Sequence, residues 1–204
     1  MSATKCKLCG LTRPVDIAAA NALKPEYIGF VFAPKSRRYL PPAQAAELKR
    51  QLAPGITAVG VFVNEAPETV AALLNRGTID AAQLHGGEGE NYLQTLRTLT
   101  DKPLIRAFTI RTPQDCEAAA QSTADFILLD SGAGSGTTFD WALLQPIRRP
   151  YFLAGGLDPQ NVAQAIRALH PFAVDVSSGI EQNGQKDAEK MAAFVAAVRK
   201  EATP

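Results

Sequence analysis

Cysteine is scarce in this sequence: three residues in 204, an odd number that argues against a disulfide framework. An excess of charge of one sign is also missing. Lysine and arginine number 21 against 20 aspartate and glutamate, a formal net charge of +1. That leaves no bulk electrostatic case for nucleic acid or a membrane surface as partner. No apolar run approaches the roughly 18 residues that a membrane span needs. The opening MSATKCKLCG carries no apolar signal core, so the expected location is the cytoplasm. Linkers, low-complexity tracts and breaks in composition are absent too. Residues 1–204 are therefore expected to form one domain, with enough chain for a substantial core. What is present is 46% hydrophobic and 20% charged, the balance of a soluble globular protein.

Short β-branched or aromatic apolar runs recur along the chain and read as buried strands. They are CKLCG (6–10), YIGFVF (27–32), AVGVFV (58–63), AAQLHG (81–86), LIRAFT (104–109), FILLD (126–130), YFLAGG (151–156) and FAVDVSS (172–178). Between them lie stretches rich in Ala, Leu, Glu, Gln and Lys that read as helices, among them 41–52, 67–77, 158–169 and 187–200. Several open with proline at the first helical position, where its missing N–H costs nothing. A further helix is expected around DWALLQPI (140–147). One strand, loop and helix per repeat implies parallel strands joined by right-handed crossovers. Eight such units point to a single-domain (β/α)8 TIM barrel. An open doubly wound sheet is the alternative.

Cys6 and Cys9 form a Cys-x-x-Cys, a spacing shared by zinc sites and redox dithiols. Within a strand, however, side chains alternate faces with a period of two. Residues three apart point to opposite sides, so these sulfurs are badly placed to share a metal or a disulfide. A zinc site would need two more ligands, and only Cys116, His85 and His170 remain, scattered along the chain. No metal is expected. Lys7 and Cys9 do share a face. A lysine directed into a barrel is costly unless it serves a polar site, and barrel active sites lie at the C-terminal strand ends, where Cys9 stands. A nearby cation makes a thiol more acidic than its reference of about 8.5, so Lys7 is expected to help Cys9 act as base or nucleophile. The plain alternative is a buried structural cysteine.

The sixth strand delivers Asp130 to the same rim. A carboxyl partly desolvated at a barrel mouth can stay protonated near neutrality and serve as general acid; a turn or cap residue is the alternative. Behind it runs the glycine-rich SGAGSGTTFDW (131–141). APKSRRY (33–39) follows the second strand with three cations. Such a run is usually solvated surface, but at a rim an arginine offers a planar fork to a substrate carboxylate. The most specific pattern lies near the C-terminus. LAGGLDPQNV (153–162) reads as strand, Gly155 and Gly156, then a helix opened by Asp158 and Pro159. The glycines let backbone approach an anion, and the helix start adds a positive dipole. VDVSSGIE (174–181) ends the eighth strand with Ser177, Ser178 and Gly179, where a short extra helix is expected. A phosphate site shared by these two loops recurs in barrels.

Taken together, these motifs make the chain resemble the phosphoribosylanthranilate isomerase family of tryptophan biosynthesis. The matches run nearly end to end: KLCGLTRPVD, GFVFAPKSRRY, VGVFVNEAPE, QLHGGE, LLDSGAGSGTTFDW, LAGGLDPQNV and PFAVDVSSGIE. The resemblance implies a small (β/α)8 barrel that converts N-(5-phosphoribosyl)anthranilate to 1-(2-carboxyphenylamino)-1-deoxyribulose 5-phosphate by an Amadori rearrangement, with no metal or organic cofactor. It implies Cys9 as general base and Asp130 as general acid. Arg38 would hold the anthranilate carboxylate, with Arg37 as the rival. Gly155, Gly156, Ser177, Ser178 and Gly179 would surround the phosphate. Lys7, His85 and Asp175 fall in the substrate-binding set, although His85 and Asp175 equally suit structural polar roles at the mouth. Two positions depart from the family pattern: Cys6 stands where an aliphatic residue is usual, and Thr137 where many relatives have lysine.

Three rivals are open at this stage. A histidine-pathway isomerase on the same scaffold uses two carboxylates, whereas the first strand here ends in cysteine. A non-catalytic sugar-phosphate-binding barrel would leave Cys9 and Asp130 without roles. A small metal or redox protein rests on Cys-x-x-Cys alone. The expected partner is a small phosphosugar, with neither nucleic acid nor membrane. The mixed surface charge leans towards a monomer, with a homodimer as the alternative.

Overall fold

In the computed structural model, which describes residues 3–130, 141–144 and 147–201, eight parallel strands close into a barrel in sequence order. The strands are β1 (Lys5–Cys9), β2 (Tyr27–Val31), β3 (Thr57–Phe62), β4 (Ala81–Leu84), β5 (Leu104–Thr109), β6 (Phe126–Asp130), β7 (Tyr151–Ala154) and β8 (Ala173–Val176). β8 pairs with β1 through Lys7 opposite Asp175 and closes the ring. All eight expected strands are present, and the open-sheet alternative is excluded by that closure.

Among the described residues, seven α-helices cover the outside: α1 (Pro14–Leu23), α2 (Pro42–Arg50), α3 (Pro67–Asn75), α4 (Glu90–Arg97), α5 (Pro113–Gln121), α6 (Val162–Leu169) and α7 (Ala188–Lys200). Proline opens α1, α2, α3 and α5, as the sequence predicts. Two expectations are corrected. The unit after β6 has a 3₁₀ turn, Trp141–Leu144, where an α-helix is expected; the rest of that stretch, with the glycine-rich loop and Thr137, lies outside the described residues. α6 begins at Val162 rather than at 158. The reason is local: the Asp158 carboxylate accepts from the amides of Gln160 and Asn161 at 2.7 and 2.9 Å, and Asn161 Oδ1 accepts from Asp158 N at 2.9 Å. These side-chain bonds hold a turn ahead of the helix.

The strand pleat sorts the interior. Cys6, Leu8, Ile28, Phe30, Phe62, Leu84, Leu129 and Val174 face outward and pack in the core shared with the helices. Val59, Ala81, Ile105, Leu128, Phe152 and Ala173 face inward and fill the barrel. Tyr27, Phe126 and Phe172 pack around Phe152 and close the N-terminal end, the rings 5.2 to 5.9 Å apart. Each such pair contributes about 0.5–1.5 kcal/mol beyond its buried area. Two residues further along the same inward rows, the pattern turns polar: Lys7 and Gln83 are buried within the barrel, and Asp175 stands with them. This change from apolar plug to polar floor directs all chemistry to the C-terminal end.

Candidate active site

A cavity of about 470 Å³ opens at that end, a size that suits a small organic ligand. Its wall is built strand by strand. Cys9 comes from β1; Val31, Ala33, Ser36 and Arg38 from β2 and its loop; Val61 and Val63 from β3 and the residue after it. Gln83 comes from β4 and His85 from the residue after it, Asp130 from β6, Ala154 to Leu157 from β7 and its loop, and Asp175, Ser177 and Ser178 from β8 and its loop. Two residues expected in the site are set behind this lining. Lys7 is fully buried beneath it, and Gly179 packs on the β7 loop, where an added Cβ would meet the Leu157 carbonyl oxygen at 2.0 Å. That close approach brings the loops after β7 and β8 into contact.

Strand order decides what faces what. In a closed ring, β7 and β8 lie between Asp130 on β6 and Cys9 on β1, while β2 and β3 lie on the far side of Cys9. A ligand stretched from the β7–β8 loops towards β2–β3 therefore passes between Cys9 and Asp130. The β7–β8 side carries the features of an anion grip. β7 ends at Ala154, sooner than the sequence suggests, because Gly155 and Gly156 take φ of 96° and 64°. Side-chain-bearing residues rarely adopt such values. A 3₁₀ turn, Ser178–Ile180, follows β8, the short extra helix expected from the sequence. The β2–β3 side of the lining is mostly apolar, with Ser36 and one cation, Arg38.

Cys6 and Cys9 point to opposite faces. Cys6 packs in the outer core and Cys9 in a small inner cluster with Val31 and Val61. All three cysteines are free. Gly29 makes room for the Cys9 thiol: a Cβ there would lie 2.6 Å from Sγ. The effect of Lys7 is more limited than its proximity suggests. Burial pushes the Cys9 thiol up, and the pull of Lys7 and Lys186 recovers only part of that rise. Lys7 is already engaged, donating to Gln83 Oε1 at 2.9 Å and to Asp175 Oδ1 at 3.0 Å. Burial by itself would depress the Lys7 ammonium, but Asp175 and Cys9 together outweigh it and keep the ammonium charged.

Arg38 lines the cavity, whereas Arg37 is largely exposed and outside that lining. Both reach the buried carboxylate of Glu181, which the sequence reading missed. Arg38 donates through Nε at 2.5 Å and Nη2 at 3.0 Å, and Arg37 through Nη2 at 2.7 Å. Lys186, also missed, donates to Glu181 Oε1 at 2.8 Å and to the Ser177 carbonyl at 2.8 Å. A short hairpin, β9 (Glu181–Gln182) and β10 (Gln185–Lys186), places Glu181 opposite Lys186. Its tip, Asn183–Gly184, has positive φ at both residues, as a type I′ turn needs. An Asn-Gly dipeptide after VDVSSGIE was a readable hairpin signal; the partners of Glu181 were not.

Burial alone would raise the Glu181 carboxyl, but hydrogen bonds from Arg38 and Lys186 outweigh it and hold it at about 2, below its ordinary 4.5. A depressed carboxyl adds stability above its unfolded value, and that stability is lost as pH falls through the window from 4.5 to about 2. The gap in thermal midpoint between the wild type and Glu181→Gln should therefore be widest near neutral pH and shrink across that window. Parallel curves would show that Glu181 is not held as an ionised hub.

A family model described as N-(5′phosphoribosyl)anthranilate (PRA) isomerase matches residues 6–197. An N-(5′-phosphoribosyl)anthranilate isomerase from Endomicrobium trichonymphae is 42% identical over 200 residues, covering 96% of this chain and 98% of the relative. One from Dechloromonas aromatica is 44% identical over 205 residues, covering 97% of each. Among solved structures, phosphoribosyl anthranilate isomerase from Thermotoga maritima superposes with a TM-score of 0.89 at 37% identity, covering 97% of this chain and 99% of that one. A phosphoribosyl anthranilate isomerase in complex with reduced 1-(o-carboxyphenylamino)-1-deoxyribulose 5-phosphate gives 0.87 at 36% identity, with the same coverage.

Proposed function

This chain belongs to the N-(5′-phosphoribosyl)anthranilate isomerase family, and on that premise we propose that Cys9 and Asp130 are its base and acid. The activity is an Amadori rearrangement in tryptophan biosynthesis, an aldose–ketose isomerisation of N-(5-phosphoribosyl)anthranilate to 1-(2-carboxyphenylamino)-1-deoxyribulose 5-phosphate. The observation that carries the site assignment is the ring order: the β7–β8 loops and the β2–β3 side with Arg38 lie on either side of the space between Cys9 and Asp130.

Each step then has an owner. Asp130 gives its proton to the ribose ring oxygen as the C1′–O bond breaks, leaving a protonated imine. That cation acidifies the C2′ hydrogen. Cys9, as thiolate, removes it, the C–H electron pair forms the C1′–C2′ double bond, and the nitrogen regains its lone pair. Transfer of the C2′ hydroxyl proton to C1′ completes the ketone. Gly155, Gly156, Ser177 and Ser178 surround the phosphate, with Gly179 holding the two loops together and Lys186 supplying positive charge beneath Ser177. Arg38 holds the anthranilate carboxylate. Glu181 occupies its Nε–Nη2 edge, and Nη1 has no hydrogen bond among the described residues, so a second carboxylate has an edge to bind. Val31, Ala33, Val61 and Val63 receive the aromatic ring. Lys7 and Asp175 act from below, on the charge state of Cys9. Anchoring both ends of the substrate converts binding into orientation.

The same proposal takes the barrel as one catalytic unit, cytoplasmic and monomeric. The exposed large apolar side chains among the described residues, Val15, Tyr39, Val63 and Leu99, come from separate elements. One preparation tests all of this but the location. Chelator-treated protein sedimenting as a single chain should rapidly quench the fluorescence of freshly made N-(5-phosphoribosyl)anthranilate, with the ribulose product identified by mass and periodate sensitivity. A folded protein without turnover would mean that the anion grip serves another ligand.

A further inference from the structure

We infer that Gln83 is a positioning residue that fixes the tautomer of His85, presenting a neutral Nε2–H to the Asp130 carboxyl. The inference rests on the reading of Asp130 as the acid. What fixes the tautomer is a chain of donors and acceptors.

It starts at Lys7. An ammonium has three donors and no acceptor. Fully buried, it lies 2.9 Å from Gln83 Oε1 and 3.0 Å from Asp175 Oδ1. The amide of Gln83, 1% exposed, must therefore turn its oxygen to Lys7. Its other end is an NH₂ group, a donor only, and sits 2.8 Å from His85 Nδ1. Nδ1 must accept, so it carries no proton. In the neutral ring the proton is then on Nε2, which lies 3.5 Å from Asp130 Oδ2. One buried cation thus sets the polarity of the whole row from β1 through β4 to β6.

The arrangement suits an acid that has to lose its proton. As Asp130 protonates the ring oxygen, negative charge appears on the carboxyl, and an N–H already aimed at it interacts more strongly than before. Such a contact favours the later state over the ground state. An imidazolium would instead favour a carboxylate from the outset, with no proton to give. Among the described residues, the other charged or titratable groups lining the cavity are Cys9 on β1, Asp175 on β8 and Arg38 after β2, while β3 and β7 present Val61, Val63 and Ala154.

The sequence holds two histidines, so uniformly labelled protein gives two imidazole patterns in long-range ¹H–¹⁵N spectra. His85→Gln identifies which belongs to His85. At mildly alkaline pH, wild-type His85 should show the Nε2–H tautomer. Gln83→Leu should show a mixture, and the isosteric Gln83→Glu, whose carboxylate accepts, should shift it to Nδ1–H. In turnover, Gln83→Leu should lower kcat about ten- to a hundredfold with KM little changed, the scale of losing a group that orients a reacting one. His85→Gln, which restores an N–H near the Nε2 position, should retain more of kcat than His85→Ala. An Nδ1–H pattern in the wild type would overturn the inference. So would a tautomer that ignores Gln83 substitution, or one that changes without loss of kcat. Failure of Asp130 as the acid would appear separately, as near-normal turnover in Asp130→Asn.

Discussion

Cys9→Ala is expected to lower kcat by about 10²–10⁴-fold, the usual contribution of a positioned proton-transfer group, in a protein that still folds. The substitution removes one sulfur from a site whose backbone is fixed independently. Gly10 N donates to the Gly29 carbonyl at 2.9 Å, and Ser177 Oγ donates to the Cys9 carbonyl at 3.2 Å. Neither bond involves the thiol. Cys6→Ala is the matched control. Its sulfur lies on the opposite face, in the outer core, so turnover should persist; loss of turnover in folded Cys6→Ala would revive a paired-cysteine mechanism.

The pH dependence has a definite sign. Burial raises the Cys9 thiol, with Lys7 and Lys186 opposing only in part. A base with a raised value gains its active, deprotonated form as pH rises. In the wild type, kcat/KM should therefore climb from neutral into the alkaline range, and the residual rate of Cys9→Ala should lack that climb. A flat wild-type profile would assign the proton abstraction elsewhere.

Asp130→Asn should cost about as much, again roughly 10²–10⁴-fold in kcat. The amide matches the carboxyl in size, and the backbone there is held by the ladder with β5 and β7, with Ile110 N donating to the Asp130 carbonyl at 2.9 Å. What the variant lacks is a proton it can release. The pattern of loss separates chemistry from binding: an acid lost from the transition state lowers kcat and kcat/KM together, whereas a lost binding contact raises KM with kcat unchanged. The second pattern in folded Asp130→Asn would demote Asp130 to a substrate-holding residue.

The alternation of apolar strands and helical stretches, read along the chain, carries the barrel, and the strand period of two is enough to place Cys6 and Cys9 on opposite faces. The strand ends mark Cys9 and Asp130, and the glycines after β7 mark the proposed anion grip. These signals are local, each written within a handful of consecutive residues. Gln83 was nearly legible, a polar residue on the same inward row as Ala81 and His85. α6 was not read correctly, because the side-chain bonds of Asp158 and Asn161 hold a turn in place of its expected first turn.

The sequence by itself determined the fold and the family and singled out the two residues proposed for the chemistry, because periodicity and motif act over short range. Only the tertiary structure decided the company those residues keep. Closing β8 onto β1 sets Asp175 beside Lys7 from 168 positions away, and the hairpin after β8 carries Glu181 to Arg38 from 143 positions away. Both pairs depend on ring closure, which no local pattern encodes. Burial then made the remaining choice: removal from water raises the Cys9 thiol more than the neighbouring cations lower it.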